Sequence, residues 1–448
     1  MSWFIEHFRF LADKPAIVDS QGAFTYAQLA TQIDVYKNYL DVQFDDSQVV
    51  VILSDYNFNA VALFFALLQK KSIIAPIVSN NKEEIDKRFC VVNPDFIIKL
   101  NDHGEVHVEN KSNDLDRHQM LQTLCFNKQP GLVLFSSGST GEPKAMIHNL
   151  DSLANSYQGK KQKNINMLVF LMFDHIGGLN TLLNTLAMGA KVVFPNTRNP
   201  DDIAALIEAH QIHVLPSSPT FLNMMLMARV QERFNLSSLK MITYGTESMP
   251  ESLLKKIKMF FPRTKLLQTF GTSETGIAQT SSRSSDSLQM KFDDPNLECK
   301  IVDGELWLKS KTQVIGYLNA SMECFTDDGW FKTGDLVEEL DSGYLKIKGR
   351  AKEIINVGGE KVLPAEVESV ILELDIVDDC MVYSEKNSIT GQMVAVQIVL
   401  HDGALEKEAK KTIQAYCRTK LDTYKVPARF KFVDKTSFGE RFKKLRLK

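Results

Sequence analysis

Short apolar runs and longer amphipathic stretches alternate along the chain. Val49-Val-Val-Ile-Leu53 and Ser72-Ile-Ile-Ala-Pro-Ile77 are apolar runs of strand length, the pattern of strands buried on both faces. Between them, Asn57 to Lys70 is apolar at helical spacing. Upstream, Phe24-Thr-Tyr-Ala-Gln-Leu29 opens a helix with Thr25 as its N-cap. The rhythm returns with strands over Leu132–Phe135, Asn166–Phe173, Lys191–Phe194 and Met241–Tyr244 and helices over Asn180–Met188 and Pro200–Gln211. Strand–helix–strand order of this kind predicts an α/β domain built on parallel sheets.

The pattern changes after residue 280. Residues 281–300 are rich in Ser and Asp and predict an exposed loop. Gly304-Glu-Leu-Trp-Leu-Lys309 alternates as a strand, and with Gly316-Tyr-Leu-Asn319 it predicts a small β-subdomain. From 353 the chain predicts a small α+β domain: helices over Pro364–Leu372 and Leu405–Leu421, strands over Asp379–Ser384 and Met393–Leu400. A length of 448 residues suits two or three domains.

Net charge is −3, which gives no general pull toward nucleic acid or an anionic membrane. No apolar run approaches bilayer length, and the N-terminus lacks the charge-then-apolar layout of a signal peptide. The six cysteines are scattered without a CxxC pair, which fits a reducing cytoplasm better than a zinc site or a disulfide framework.

The richest chemistry lies in Ser136-Ser-Gly-Ser-Thr-Gly-Glu-Pro-Lys144. Gly138 and Gly141 let the backbone turn its N–H groups to one side. Ser136, Ser137, Ser139 and Thr140 add hydroxyls, and Lys144 adds a positive charge. That inventory suits a polyphosphate. It is not the P-loop of NTPases, which needs Gly-Lys-[Ser/Thr] opening a helix; here Pro143 precedes Lys144 and Ala145 follows. Pro143 removes an N–H and pushes Glu142 toward extended geometry, which predicts a flexible loop. Loops at 136–144, 244–250 and 270–276 each follow a strand. Ligands in open α/β sheets sit beyond strand C-termini, so the three are placed to share one crevice.

The string SSGSTGEPKA resembles the signature loop of the adenylate-forming superfamily of acyl-CoA synthetases, aryl-CoA ligases, peptide-synthetase adenylation domains and luciferases. The resemblance extends over nearly the whole chain. It implies a large N-terminal α/β domain with parallel sheets and a small β-subdomain over 1–349. A small α+β C-terminal domain over 350–448 would be joined to it by a hinge. Ser136, Ser137, Gly138, Ser139, Thr140, Gly141 and Lys144 would hold the ATP phosphates. Phe270-Gly-Thr-Ser-Glu274 is similar to the family's Y-G-x-T-E: Phe270 would face adenine, and Gly271 and Thr272 would allow close approach. Ser273 would reach the α-phosphate and Glu274 would bind Mg²⁺. Gly245, Thr246 and Glu247 would lie along the other adenine face. Asp328-Gly-Trp-Phe-Lys-Thr-Gly-Asp335 is similar to GW-x-x-TGD, so Asp335 would hold the ribose hydroxyls, with Arg350 reaching ribose and phosphate. Lys352 falls at the hinge position, and Gly358-Gly359 resembles the edge of the thiol tunnel. His175, in a string similar to F-H-x-x-G, reads either as an acyl-pocket residue or as a capping, buried histidine.

One departure matters. The family's adenylation lysine belongs to a pattern like T-x-x-G-K-x-x-R, and here Thr436-Ser-Phe-Gly439 is followed by Glu440. An acid there cannot neutralise the charge gathering at the α-phosphate. Either a neighbouring cation substitutes (Arg441, Lys443 or Lys444, with Lys443 leading), or the first half-reaction is slow or lost. Lys144, Glu274 and Lys443 are thus the implied catalytic groups. The implied activity is ATP-dependent activation of a small carboxylic acid to acyl-AMP, then transfer to CoA. Three other readings stay open: loading of a carrier-protein phosphopantetheine in trans, an inactive nucleotide-binding scaffold because of Glu440, and a kinase, which Pro143 disfavours. The pocket candidates His175, Gly178, Ser217, Ser218, Gly245 and Gly276 carry no obvious fixed charge, which prefers a neutral acyl or aryl tail.

Overall fold

The computed structural model describes residues 3–101, 104–111, 116–136, 143–401, 403–439 and 443–446. The apolar runs form strands as their patterning predicts. Val49–Leu53 and Ile73–Ile77 pair in parallel, residue against residue from Val49↔Ile73 to Leu53↔Ile77. The helix between them, Phe58–Gln69, is capped by Asn57 and buries every residue from Phe58 to Leu68; apolar all round, it can only sit inside a core. Tyr26–Gln43 begins at Thr25 with a capping box closed by Gln28, which satisfies two otherwise orphaned N–H groups.

Two sheets of seven described strands each organise the large part. One contains Val49–Leu53, Ile73–Ile77, Gly131–Ser136 and Lys144–Asn149. The other runs parallel through Lys265–Gln268, Met241–Tyr244, Val214–Ser217, Asn166–Leu168, Lys191–Val193 and Pro15–Asp19. The largest core cluster draws on both sheets, with Val50, Ile74 and Leu132 from one and Ile17 and Val192 from the other. The strand ends at Ser217, Tyr244 and Gln268 therefore open to one side, where the Ser218, Gly245 and Thr269 loops begin.

Two stretches differ from expectation. Half of residues 281–300 is strand: Thr280–Ser282, Gln289–Phe292 and Leu297–Val302 join Glu305–Ser310, Phe331–Glu339 and Leu345–Arg350 in an antiparallel sheet. Their polar residues belong to a sheet with one buried face, where only alternate positions such as Met290, Leu306 and Leu308 are apolar. Gly316–Tyr317 leaves this β-subdomain and pairs antiparallel with Lys144–Asn149 of the large sheet. Its ring packs into the main core, which outweighs nearness in sequence.

The chain leaves the β-subdomain at Arg350, makes one 3-10 turn over Ala351–Glu353, and enters the last sheet at Ile355. That sheet has its own core with the helices Pro364–Ile371 and Glu406–Lys420. Its main hairpin, Val377–Asn387 with Gly391–Leu400, is longer than its apolar run suggests because cross-strand pairing continues through polar residues. No described helix is long and apolar enough to cross a membrane.

Candidate active site

The signature segment connects two antiparallel strands. Ser136 and Lys144, its first and last residues, stand opposite each other in the ladder between Gly131–Ser136 and Lys144–Asn149. Residues 137–142 lie outside the described residues, and with them the expected phosphate contacts of Ser137, Gly138, Ser139, Thr140 and Gly141 and the expected flexibility of the loop. The exit is held from a distance in sequence. The Asn319 amide accepts from the Ala145 N–H (2.8 Å) and donates to the Pro143 carbonyl (2.9 Å).

Tyr317 joins the two strongest motifs. Its hydroxyl donates to Glu274 Oε1 at 2.8 Å, and the Lys144 ammonium lies over its ring, 5.4 Å from the centroid. Burial, and then the adjoining Glu274 carboxylate, push the Tyr317 phenol up, so it remains a donor at neutral pH. Glu274 is further placed by its carbonyl, which accepts from Val314 N–H at 2.8 Å. Behind it, His148 is completely buried beside the backbone of Ser273 and Thr312, with no close partner for either ring nitrogen. Burial lowers its pKa to about 4.

The two loops expected to meet adenine touch each other. A side chain at Gly245 would meet the Thr269 carbonyl and hydroxyl at 2.7 Å, so only glycine lets these strand ends approach. Gly271 is required for a different reason than ligand approach: its Cβ direction is filled by the Gly276 carbonyl at 2.7 Å, within the tight hairpin of Phe270–Thr272 with Gly276–Ala278. The Thr272 hydroxyl is engaged inside that turn, accepting from Thr275 N–H at 3.1 Å. Phe270 is buried with an edge-on contact to Phe292. Thr246 holds a left-handed backbone (φ 72°), and its hydroxyl is buried without a described partner. A β-branched residue resists that conformation, and such strain gathers at ligand sites. Glu247 turns toward the small part: it accepts from Thr220 N–H (2.7 Å) and from Lys444 N–H (3.3 Å). Burial pushes its carboxyl up.

Asp335 and Arg350 face each other across Phe331–Glu339 and Leu345–Arg350, joined by a 3.1 Å bond from Arg350 Nε. Burial raises the Asp335 carboxyl, and Arg350 and then Lys443 work against that rise. Lys443 is therefore close enough for its charge to act at the ribose candidate. It belongs to a C-terminal hairpin closed by Gly439 N–H to the Lys443 carbonyl (3.0 Å) and Leu445 N–H to the Ser437 carbonyl (2.9 Å). Glu440 and Arg441 lie outside the described residues.

Lys352 is exposed in the 3-10 turn between the two parts. Gly358 and Gly359, at φ 61° and 97°, turn the hairpin of Ile355–Val357 with Glu360–Val362 against Thr390, and no atom lies within 4 Å of a Cβ built on Gly359. The structure gathers these glycines with the small sheet's own turn. His175 caps Ile176–Ala187, its Nδ1 accepting from Gly177 N–H at 3.0 Å; the helix starts four residues before the predicted Asn180 because this cap supplies its N-terminus.

Sequence reasoning missed Tyr317, Asn319, His148, Asp379 and Glu368. Asn319 follows the Gly-Tyr-Leu string closely, but its partners lie more than 170 residues away, and no local pattern marks such a contact.

Comparison with known proteins agrees with this arrangement. The profile described as AMP-binding enzyme matches residues 6–318, and that described as AMP-binding enzyme C-terminal domain matches 366–439. The chain is 28% identical over 325 residues to the 2-succinylbenzoate–CoA ligase of Bacillus licheniformis, covering 68% of this chain and 66% of that one. It is 24% identical to the Staphylococcus epidermidis enzyme of that name, over 96% and 93%. The chain thus spans just under two thirds of the first of these relatives and nearly all of the second. The crystal structure of the anthranilate CoA ligase AuaEII in complex with anthranoyl-AMP shares the fold, with a TM-score of 0.83 at 18% identity over 98% of this chain and 95% of that one. With a profile match over most of its length, the chain belongs to the AMP-binding enzyme family.

Proposed function

We propose that the protein is an AMP-forming acid–thiol ligase. A carboxylate oxygen of the acid attacks the α-phosphorus of ATP, the bond to pyrophosphate breaks, and acyl-AMP forms. A thiol then attacks the acyl carbon, AMP leaves, and the thiol proton passes to solvent. The observation that carries this reading is the pairing of the motif residues: Lys144 and Glu274 meet through Tyr317, and Asp335 is bonded to Arg350.

In this reading Asp335 accepts two ribose hydroxyl donors, and Arg350 favours its charged form against the burial that raises its carboxyl. Lys443 neutralises the charge that gathers where carboxylate meets α-phosphate, the task Glu440 cannot perform. Lys144 and the signature turn hold the β- and γ-phosphates. Among the described residues no cluster of three His, Cys, Asp or Glu side chains could hold a metal. This fits Mg²⁺, which takes one or two carboxylate oxygens and completes its shell with phosphate oxygens and water. Glu274 is the carboxylate in question, and the ion would supply charge neutralisation on the phosphates. The division at 349/350, the hinge at Lys352 and the thiol path along Gly358 and Gly359 belong to the same proposal. So does CoA as the acceptor, with carrier-bound phosphopantetheine as the competing thiol.

For the acid, a compact aryl or acyl tail without charge is favoured. Around His175 the ionic groups are already paired: Arg88 with Asp174 at 2.9 Å, and Arg198 with Asp55 at 2.7 Å. Tyr56, Phe173 and Phe194 stack beside them.

The test is carboxylate-dependent ATP–pyrophosphate exchange over fatty, aryl and amino acids, followed by thioester formation with CoA. Exchange is expected with aryl or short acyl acids. Lys443→Ala should lower exchange about 10²–10³-fold, the usual loss on removing one charge-stabilising donor. ATP binding without exchange for any acid would favour the inactive scaffold instead.

A further inference from the structure

The Lys444 side chain is committed within the C-terminal part: its ammonium is held 3.0 Å from Asp379 Oδ1 and donates to the Cys380 carbonyl, and the side chain is only 9% exposed. The charge of the neighbouring Lys443 acts on Asp335. Burial works against the Lys444 charge, but Asp379 and Glu368 outweigh it and raise its pKa. The backbone N–H of Lys444 meanwhile donates to Glu247 of the large part. Two residues on, Arg446 forks onto both Glu368 oxygens (3.0 and 2.9 Å) and reaches Glu353 of the hinge turn at 3.3 Å. Glu368 and Asp379 are themselves engaged, by Val382 N–H and by the Thr436 hydroxyl.

We propose that Lys444 is a positioning residue for the adenylation step: with its ammonium on Asp379 and its backbone N–H on Glu247, it pins the C-terminal hairpin against the 244–250 loop and so holds the segment that carries Lys443. The inference rests on the acid–thiol ligase reading for its functional consequence. A lysine on a four-carbon stem is a mobile charge, and a clamp on phosphate is effective only when preorganised. The ion pair at 444 restricts the backbone at 443, and that restriction lets a neighbouring residue serve where Glu440 stands in the sequence. Lys444 touches no reacting atom in this scheme. Its side chain holds to the small domain, its backbone N–H reaches the large part at Glu247, and Arg446 ties the same segment to the hinge turn.

The experiment compares Lys444→Met, Lys444→Arg, Asp379→Asn and the double variant Lys443→Ala/Lys444→Met in the full-length protein. Two readouts are used: the half-reactions measured separately, and backbone hydrogen–deuterium exchange over 436–446. Lys444→Met is expected to lower the turnover of ATP–pyrophosphate exchange about 10²-fold. KM for ATP should stay within about threefold, as should thioester formation from supplied acyl-adenylate. Asp379→Asn should follow it, Lys444→Arg should restore part of the loss, and the double variant should be no worse than Lys443→Ala alone, since both act at one point. Amides of the hairpin should exchange faster in Lys444→Met and not in Lys443→Ala. An equal fall in both half-reactions, multiplicative losses in the double variant, or unchanged hairpin protection would each overturn the inference. If the unaltered protein shows no exchange with any acid, the ligase reading fails, and hairpin protection alone still decides whether Lys444 holds the segment.

Discussion

His148 shows how a single residue links sequence position to stability here. Its imidazole is fully buried on the strand Lys144–Asn149, and its pKa falls from 6.5 to about 4. The folded state therefore binds fewer protons than the unfolded chain between pH 6.5 and 4. Stability is present in full above the unfolded value and is lost as pH falls through that window, by roughly 3 kcal/mol for a shift of this size. Denaturant unfolding at pH 7.5, 6 and 5 should show this slope. It should be shallower in His148→Leu, since that side chain cannot take up a proton on unfolding. An identical slope in the variant would remove His148 as its source. Thr246 adds a second residue-scale feature, a strained left-handed backbone in the loop expected to meet adenine.

Among the elements, the signature hairpin and the short strand Gly316–Tyr317 behave as one unit. The strand pairs with Lys144–Asn149, Tyr317 holds Glu274, and Asn319 closes the loop exit. Asn319→Ala leaves the Ala145 N–H and the Pro143 carbonyl without their partner, at a cost of about 1–3 kcal/mol where such groups are buried. Because those groups end the phosphate loop, KM for ATP should rise severalfold in exchange assays while thioester formation from supplied acyl-adenylate is unchanged. An unaltered KM would show that the loop exit needs no such clamp. The strands and helices feeding this unit were largely legible in sequence, since Val49–Leu53, Ile73–Ile77 and Phe58–Gln69 carry their patterns locally. The strands between 280 and 302 were not, because half of each faces solvent and its polar residues imitate a loop.

For the whole molecule, the docking of the small part onto the large one is the decisive feature. Asn223 donates to the Asp378 carbonyl at 3.0 Å and Ser252 to that of Ser369 at 3.1 Å, alongside the Lys444 N–H to Glu247. If one crevice serves two half-reactions, the small part must move about the turn at Ala351–Glu353. Lys352→Pro fixes φ at the proposed pivot and restricts Ala351. With this docked pose retained, exchange should stay within about fivefold while thioester formation falls at least tenfold. Equal loss of both steps would place the pivot elsewhere.

What the sequence determined by itself is what depends on local order. Apolar periodicity specified the α/β layers, and the string at 136–144, in combination with those at 270–274 and 328–335, was specific enough to name the family. Gly245 and Gly271 were marked as special positions, though not for the contacts they make. Only the tertiary structure decided that Lys444 is buried against Asp379, with its backbone N–H on Glu247. The same holds for the link from Lys144 through Tyr317 to Glu274. The physical reason is that an ion pair or hydrogen bond between distant residues depends on a distance and an angle in space, and adjacent lysines are equivalent until a fold places each beside a different partner.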